Sequence, residues 1–441
     1  MTGGRLVVAR GLAHAFLAGA WDPPAMTARG QRAVGQRRVW VRDLALAARH
    51  AYPEAPRDRP RELAKFLAAC PPLAGAWPVP SVQRWYVAET AMGRSPWPVA
   101  PLHTVGDLQD LLGMSTATLL WFADTKRLER TVADERLRHY RYHWVPKRSG
   151  GARLIEAPKA VLRHAQRVIL REILEHIPVH DTAHGFRKGR SALTHANGHV
   201  RRKVVLRVDL EDFFASVGAG RAYGTFRLCG YPEPVAHVLT GLVTNSVPRT
   251  VWAAASPPAS PELRPAFRRL GLHLPHPHLP QGAPTSPALA NLAAFGLDRR
   301  LAGRASAVGL TYTRYADDLA FSSTTPRSVP QMRSLVGAIT TIATTEGFRV
   351  NPWKTSVQRS GQRQRLAGVV VNERPNVDRR QYDLLKATLH NAALHGPAEE
   401  NRAGVPAFRD HLRGRIAWVN HLNPGRGERL LATFARIDWE D

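Results

Sequence analysis

The stretch LTYTRYADDLAFSS, residues 310–323, decides how this chain is read. Apolar and polar residues alternate up to Tyr315, Ala316-Asp317 has the form of a tight turn, and a second short apolar strand follows. Asp317 and Asp318 therefore stand together at a hairpin tip, where their mutual repulsion needs compensation. A third acid lies in VVLRVDLEDFF, residues 204–214, where Asp209 ends an apolar strand. An unpaired carboxylate at that place would carry a large desolvation cost. An Asp-Asp turn alone is most simply a solvated hairpin. Three acids from two strands are what a pair of divalent cations about 3.5 to 4 Å apart requires, and such a pair drives in-line phosphoryl displacement.

Outward from these strands, YRYHWVPKRSGGARLIEAP at 140–158 has two strand-like runs around Ser149-Gly150-Gly151, a hairpin signal with basic residues on both arms. A helix is expected over Val161–Ile177, followed by HGFRKGRS at 184–191. The Pro- and His-bearing segment at about 246–280 reads as an inserted loop. His273, His276 and His278 lie there among prolines without a nearby Cys or acid, so a metal is not expected on them.

Thr104 with Asp107 has the pattern of a capping box opening a helix through Leu108, Leu111 and Leu112, and Ser115 can cap the next. Residues 1–103 read as a Pro- and Arg-rich helical extension, with helical patterns at Val39–His50 and Glu62–Ala69 and breaks at 52–60, 71–80 and 96–101. Beyond Arg379, Leu384, Leu385, Leu389, Ala392 and Ala393, then Leu412, Ile416 and Val419, recur at helical spacing.

The charge balance calls for a polyanionic partner, although an Arg-rich proteome also makes ordinary enzymes basic. The chain of 441 residues carries 62 Lys and Arg against 35 Asp and Glu, a formal charge of +27 and a pI near 11.2. The basic residues are spread along the chain and interleaved with aromatics, including 11 Trp, which suits a nucleic-acid track. Cys70 and Cys229 are too far apart in sequence to suggest a disulfide framework or zinc site. Arg5, Arg10 and His14 interrupt the apolar N-terminal run, so a soluble cytoplasmic protein with no membrane association is expected.

Over roughly residues 105 to 441 the chain resembles retron-type bacterial reverse transcriptases. The motifs occur in order: VDLEDFF at 208–214, LPQGAPTSPALANL at 279–292, YADD at 315–318, GFRVNPWKT at 347–355 and LAGVVVN at 366–372. NAALH at 391–395 fits a further Asn-Ala-x-x-His signature of that family, whereas Leu366-Ala367-Gly368 departs from its usual Val-Thr-Gly.

The resemblance implies an α+β right-hand polymerase: fingers and a palm of antiparallel sheet with helices over 104–372, a helical thumb over 373–441, and the N-terminal helical extension. It implies an RNA-directed DNA polymerase with Asp209, Asp317 and Asp318 as ligands of two Mg2+ ions, Mn2+ being an alternative. Lys354 falls where a lysine protonates the pyrophosphate leaving group. Lys147 and Arg153 match triphosphate-binding residues, Phe214 matches the position that crowds a ribose 2′-hydroxyl, and Gln281 and Gly282 lie along nucleotide and template. Gly368, Asn372, Asn391 and His395 fall where these enzymes recognise RNA. The implied partners are dNTPs, a structured noncoding RNA serving as template and primer, its branched RNA–DNA product (msDNA), and an effector protein in antiphage defence. Alternatives are a group II intron-like enzyme, for whose maturase and endonuclease domains the chain leaves no room, a defence polymerase using no retron RNA, and a non-catalytic RNA-binding scaffold, against which the intact acids argue.

Overall fold

Prolines and apolar spacing shape the N-terminal region. Helices Thr2–Leu17, Pro23–Val34, Val39–Ala51 and Pro60–Ala69 follow one another, and Asp22 caps the second by accepting from the Ala25 N–H at 2.9 Å. Leu12, Phe16, Leu44, Leu63 and Leu67 are fully buried in one cluster, and each such side chain contributes about 1.5–3 kcal/mol on leaving water. Within the stretch 71–80, read as a break, the residues Pro71–Ala74 form one helical turn because prolines are tolerated at a helix start.

This computed structural model describes residues 2–35, 37–76, 78–147 and 150–439, and two compact units emerge: Met1–Pro178 with Val217–Ala293, and Val179–Ser216 with Ala294–Asp441. In the first unit the N-terminal helices are tied to helices Ala219–Leu228 and Glu233–Val243. Arg227 pairs with Asp58 at 2.9 Å, the Glu233 carboxylate accepts from the Arg61 N–H at 2.5 Å, and the Gly93 N–H donates to Gly230 O at 2.7 Å. Gly230 has φ +84, and a Cβ there would stand 2.5 Å from Gly93 O, so this crossing requires glycine.

The same unit holds an antiparallel hairpin of β1 (Tyr140–Pro146) and β2 (Ala152–Pro158). Gly150 and Gly151 both have positive φ at its turn, while Ser149 and Arg148 lie outside the described residues. The helix after it covers Ala160–Glu172 and is broken at Ile173 before a 3-10 turn at Leu174–His176, shorter than the continuous helix expected. The segment 246–280 is not simply a loop. It forms helices Arg249–Ala253 and Arg264–His273, with Pro248 and Pro265 at their starts, where a missing N–H is tolerated. Trp252 stacks on Phe267 at 4.6 Å and reaches Trp144 of β1 at 6.0 Å.

The second unit is built on a four-stranded antiparallel sheet in the order β4-β5-β3-β6, where β3 is Val204–Leu210, β4 Thr311–Tyr315, β5 Asp318–Ser323 and β6 Val350–Arg359. A small hairpin, β7 (Arg365–Leu366) with β8 (Val369–Val370), follows. Helices Arg379–His395, Phe408–Leu422 and Pro424–Phe434 pack Leu385, Leu389, Leu412, Ile416 and Leu430 into a core shared with Val205 and Ala320 of the sheet. Leu384, counted in the apolar face from sequence, is exposed instead. The α+β architecture with an N-terminal helical region agrees with the sequence reading, and among the described residues no helix is long and apolar enough to cross a membrane.

Candidate active site

Strand register brings the acids together. β3 and β5 run antiparallel with Asp209 directly opposite Asp318, and the two-residue turn Ala316-Asp317 joins β4 to β5. Ala316 has φ +57, a left-handed conformation that costs a non-glycine residue about 1–2 kcal/mol. Three contacts hold it there. The Leu210 N–H donates to Asp317 O at 2.9 Å, the Arg314 guanidinium donates to Ala316 O at 3.0 Å, and Gly185 lies so close that a Cβ on it would stand 2.4 Å from Ala316 N.

Each flanking acid faces a cation. Arg207, two residues before Asp209 on β3, donates to Asp318 Oδ1 from Nε at 2.9 Å and from a terminal nitrogen at 2.6 Å. On β6 the register jumps from Arg207↔Ser356 to Asp209↔Asn351, so Pro352, Trp353, Lys354 and Thr355 bulge out of the pairing. From that bulge Lys354 Nζ reaches both oxygens of Asp209, at 3.0 and 3.1 Å. Asp317 feels the Lys354 charge more weakly than those of its two neighbouring carboxylates. Its burial, with the Asp209 and Asp318 carboxylates beside it, pushes its carboxyl up to about 6, and burial likewise raises Asp318 despite Arg207.

Among the described residues no three His, Cys, Asp or Glu side chains stand ready to enclose a metal ion. Arg207 and Lys354 occupy oxygens of Asp318 and Asp209. The donor set is nevertheless all carboxylate oxygen, the chemistry that magnesium and manganese take, and the crowding of three acids is relieved by added positive charge.

Around the acids, Phe213 is buried and stacks on Phe348 at 5.6 Å, while Phe214 is half-buried with its ring 5.7 Å from Phe213 and 5.8 Å from Phe186. Of the two rings, then, Phe214 is the one free to meet a ligand. Behind β4, Arg314 and Asp298 form a fully buried pair at 2.6 and 2.8 Å, and Arg314 also lies over the Phe213 ring at 5.6 Å. His199 bridges Thr313 of β4 and Ser322 of β5 at 2.7 and 2.6 Å, and His195 joins the same Thr313 hydroxyl at 2.7 Å.

Lys147, Arg153, Gln281 and Gly282 belong to the other unit. Arg153 lies on β2 opposite Val145, and the Lys147 N–H donates to Gly151 O across the turn at 3.0 Å. The segment Gln281-Gly282 lies against β2. The Glu156 N–H donates to Gln281 O at 2.8 Å, and Gly282, with φ +130, would put a Cβ 2.9 Å from Glu156 O. This close approach is why glycine stands there. His278, at the end of the 246–280 segment, is fully buried and pairs with Glu156 at 3.0 Å, which outweighs burial and raises its pKa. Asn245 donates to the same carboxylate at 2.8 Å, so this histidine completes a buried polar network.

Of the four residues assigned to RNA, Gly368 sits with Ala367 in the β7–β8 turn, both with positive φ. Asn372 is occupied internally: its Oδ1 accepts from the Gln364 N–H at 2.9 Å and its Nδ2 donates to Gln362 O at 2.8 Å. Asn391 donates to Glu400 at 2.9 Å, and His395 is exposed at the end of its helix. Sequence reasoning missed Arg207, Arg314, Gly185 and Phe186. The first two carried a signal, a lone arginine interrupting an apolar strand in VVLRVDL and in TYTRYADD.

Residues 145–371 match the family described as reverse transcriptase (RNA-dependent DNA polymerase). The retron Mx65 reverse transcriptase of Myxococcus xanthus is 41% identical over 330 residues, covering 74% of this chain and 70% of that protein. The retron Mx162 reverse transcriptase of the same species is 37% identical over 352 residues, covering 76% and 67%. The retron Ec86 reverse transcriptase of Escherichia coli is 29% identical over 334 residues, covering 75% and 90%. With the acids brought together in the four-stranded sheet and these likenesses spanning most of its length, the chain belongs to the reverse transcriptases of the retron type, and it is an RNA-directed DNA polymerase.

Proposed function

We propose that this polymerase copies part of a structured noncoding RNA into DNA, starting from a 2′-hydroxyl of that RNA, and so yields a branched RNA–DNA molecule that serves antiphage defence together with an effector protein. The observation that carries the chemical part is the juxtaposition of Asp209 and Asp318 across two paired strands with Asp317 in the adjoining turn.

Asp209, Asp317 and Asp318 would hold two magnesium ions. Such a pair, when bound, activates the attacking hydroxyl and stabilises the leaving oxygen of the displacement. The protein's own residues supply the rest. Lys354, on a bulge and half-exposed, can leave Asp209 and turn its ammonium toward the pyrophosphate to donate a proton. Arg207 keeps Asp318 oriented from its fixed place on β3. Lys147 and Arg153 bring positive charge to the triphosphate, and Gln281 and Gly282 offer backbone to nucleotide and template.

The test has two arms. Purified protein with Asp317→Ala and Asp318→Ala should lose primer extension on an RNA template by at least about a thousandfold, as removal of catalytic groups does elsewhere; extension at the parental rate would overturn the metal assignment. Nucleic acid recovered from the parent protein, treated separately with ribonuclease and deoxyribonuclease, should contain a discrete RNA-linked DNA. Heterogeneous RNA alone would refute the branched product.

A further inference from the structure

On the reading of Phe214 as the ring that crowds a ribose 2′-hydroxyl, we propose that Phe186 is a positioning residue that sets sugar specificity: it buttresses Phe214, so that the site's preference for deoxynucleotides depends on both rings.

The motif HGFRKGRS at 184–191 finds its place beside the catalytic hairpin. The His184 N–H donates to Arg314 O at 2.7 Å and the Arg314 N–H donates to Thr182 O at 2.8 Å, so residues 182–184 run alongside β4. Gly185 then touches the backbone of the Ala316 turn, and the chain reverses at Phe186. Phe186 has φ +59, a conformation that a bulky residue adopts only where its surroundings impose it. The residue is 48% exposed, and its ring lies 5.8 Å from that of Phe214.

The rings form a series. Phe348 and Phe213 are stacked and buried, Phe214 leans on Phe213, and Phe186 lies against Phe214. Phe213 is locked by the core, so among the described residues Phe214 has one fixed ring neighbour and one set by the 184–191 segment. A strained backbone that leaves a large apolar ring in water is a poor device for stability. It is a good device for holding Phe214 upright against a sugar, because removal of Phe186 would let that ring tilt away.

The experiment measures kcat/KM for a dNTP and for the matching ribonucleotide on an RNA template with a DNA primer, using the full chain and the variants Phe214→Ala, Phe186→Ala, Phe186→Tyr and the double alanine. Phe214→Ala should lower the deoxy-to-ribo preference about a hundredfold and Phe186→Ala about tenfold, within what steric pockets achieve. Phe186→Tyr should keep the parental preference, and the double variant should fall no further than Phe214→Ala alone. An unchanged preference in Phe186→Ala, beside a lowered one in Phe214→Ala, overturns the role of Phe186. An unchanged preference in Phe214→Ala overturns the reading of Phe214 and this inference with it. The preference is a ratio within one preparation, so partial loss of folded protein does not move it, and Phe186→Leu provides the same reading if the alanine variant fails to fold.

Discussion

Replacing Asp298 by Asn should separate what the buried ion pair does for stability from what it does for catalysis. Arg314 and Asp298 are both 0% exposed and joined by two contacts of 2.6 and 2.8 Å, with the Tyr312 hydroxyl donating to the same carboxylate at 2.8 Å. Asp298→Asn leaves the guanidinium buried without its countercharge. Breaking a buried pair in this way costs about 3–5 kcal/mol, and at roughly 2–4 °C per kcal/mol the melting midpoint should drop by roughly 10 °C. Arg314 also anchors Ala316 O, so the Asp317 turn loosens, and a displacement on the order of 1 Å at a catalytic group can cost about a hundredfold in rate. Urea unfolding and primer extension measure the two effects. The double variant Asp298→Leu with Arg314→Met removes both charges; it should regain part of the stability while extension stays slow. If Asp298→Asn unfolds within about 1 kcal/mol of the parent, or if the double variant restores extension, the reasoning is wrong.

Two further outcomes are expected. Gly185→Ala forces a Cβ to 2.4 Å from Ala316 N, a backbone clash, and should destabilise by about 1–3 kcal/mol and slow extension; a variant matching the parent in both would show that the turn is not held by this contact. Acid should also weaken the fold. Burial depresses His139 and His184 to about 4 and His199 to about 3, and lowers His195 well below its ordinary value, so below pH 6.5 the unfolded chain takes up protons that the folded chain refuses. Stability therefore falls as pH drops from about 6.5 toward 4, by up to about 1.4 kcal/mol per unit for each histidine. Asp317, raised to about 6, acts in the opposite sense, as do Asp124, Glu129, Glu233, Asp318 and His278, each also raised, while His237 is lowered with the other four histidines; the histidines carry the larger shifts and set the direction. A urea midpoint that rises between pH 7.5 and 5.5 would contradict this balance.

How much was legible from the chain follows from where each signal is stored. The acid-bearing hairpin could be read because alternation, a two-residue turn and two acids are all local, and the β4–β5 turn falls at Ala316-Asp317 as expected. The caps at Thr104 and Ser115 were legible for the same reason, each side chain bonding a backbone N–H three residues on. The segment 246–280 misled because its prolines, a loop signal in general, stand at helix starts, and what covers Trp252 is Phe267 and the distant Trp144.

The sequence by itself determined the three acids, their strands, the strongly basic character and the family, since each is written in contiguous residues and their order. Only the tertiary structure decided which cation answers which acid: Arg207 with Asp318 and Lys354 with Asp209 arise from strand register and from a bulge in β6. It alone paired Arg314 with Asp298 and His278 with Glu156, and set Phe186 beside Phe214. The physical reason is that a side chain's charge and shape are local properties, whereas its partner is chosen by how distant segments align, and a slip of one residue in β3 or β5 would turn Arg207, Asp209 and Asp318 to the other face.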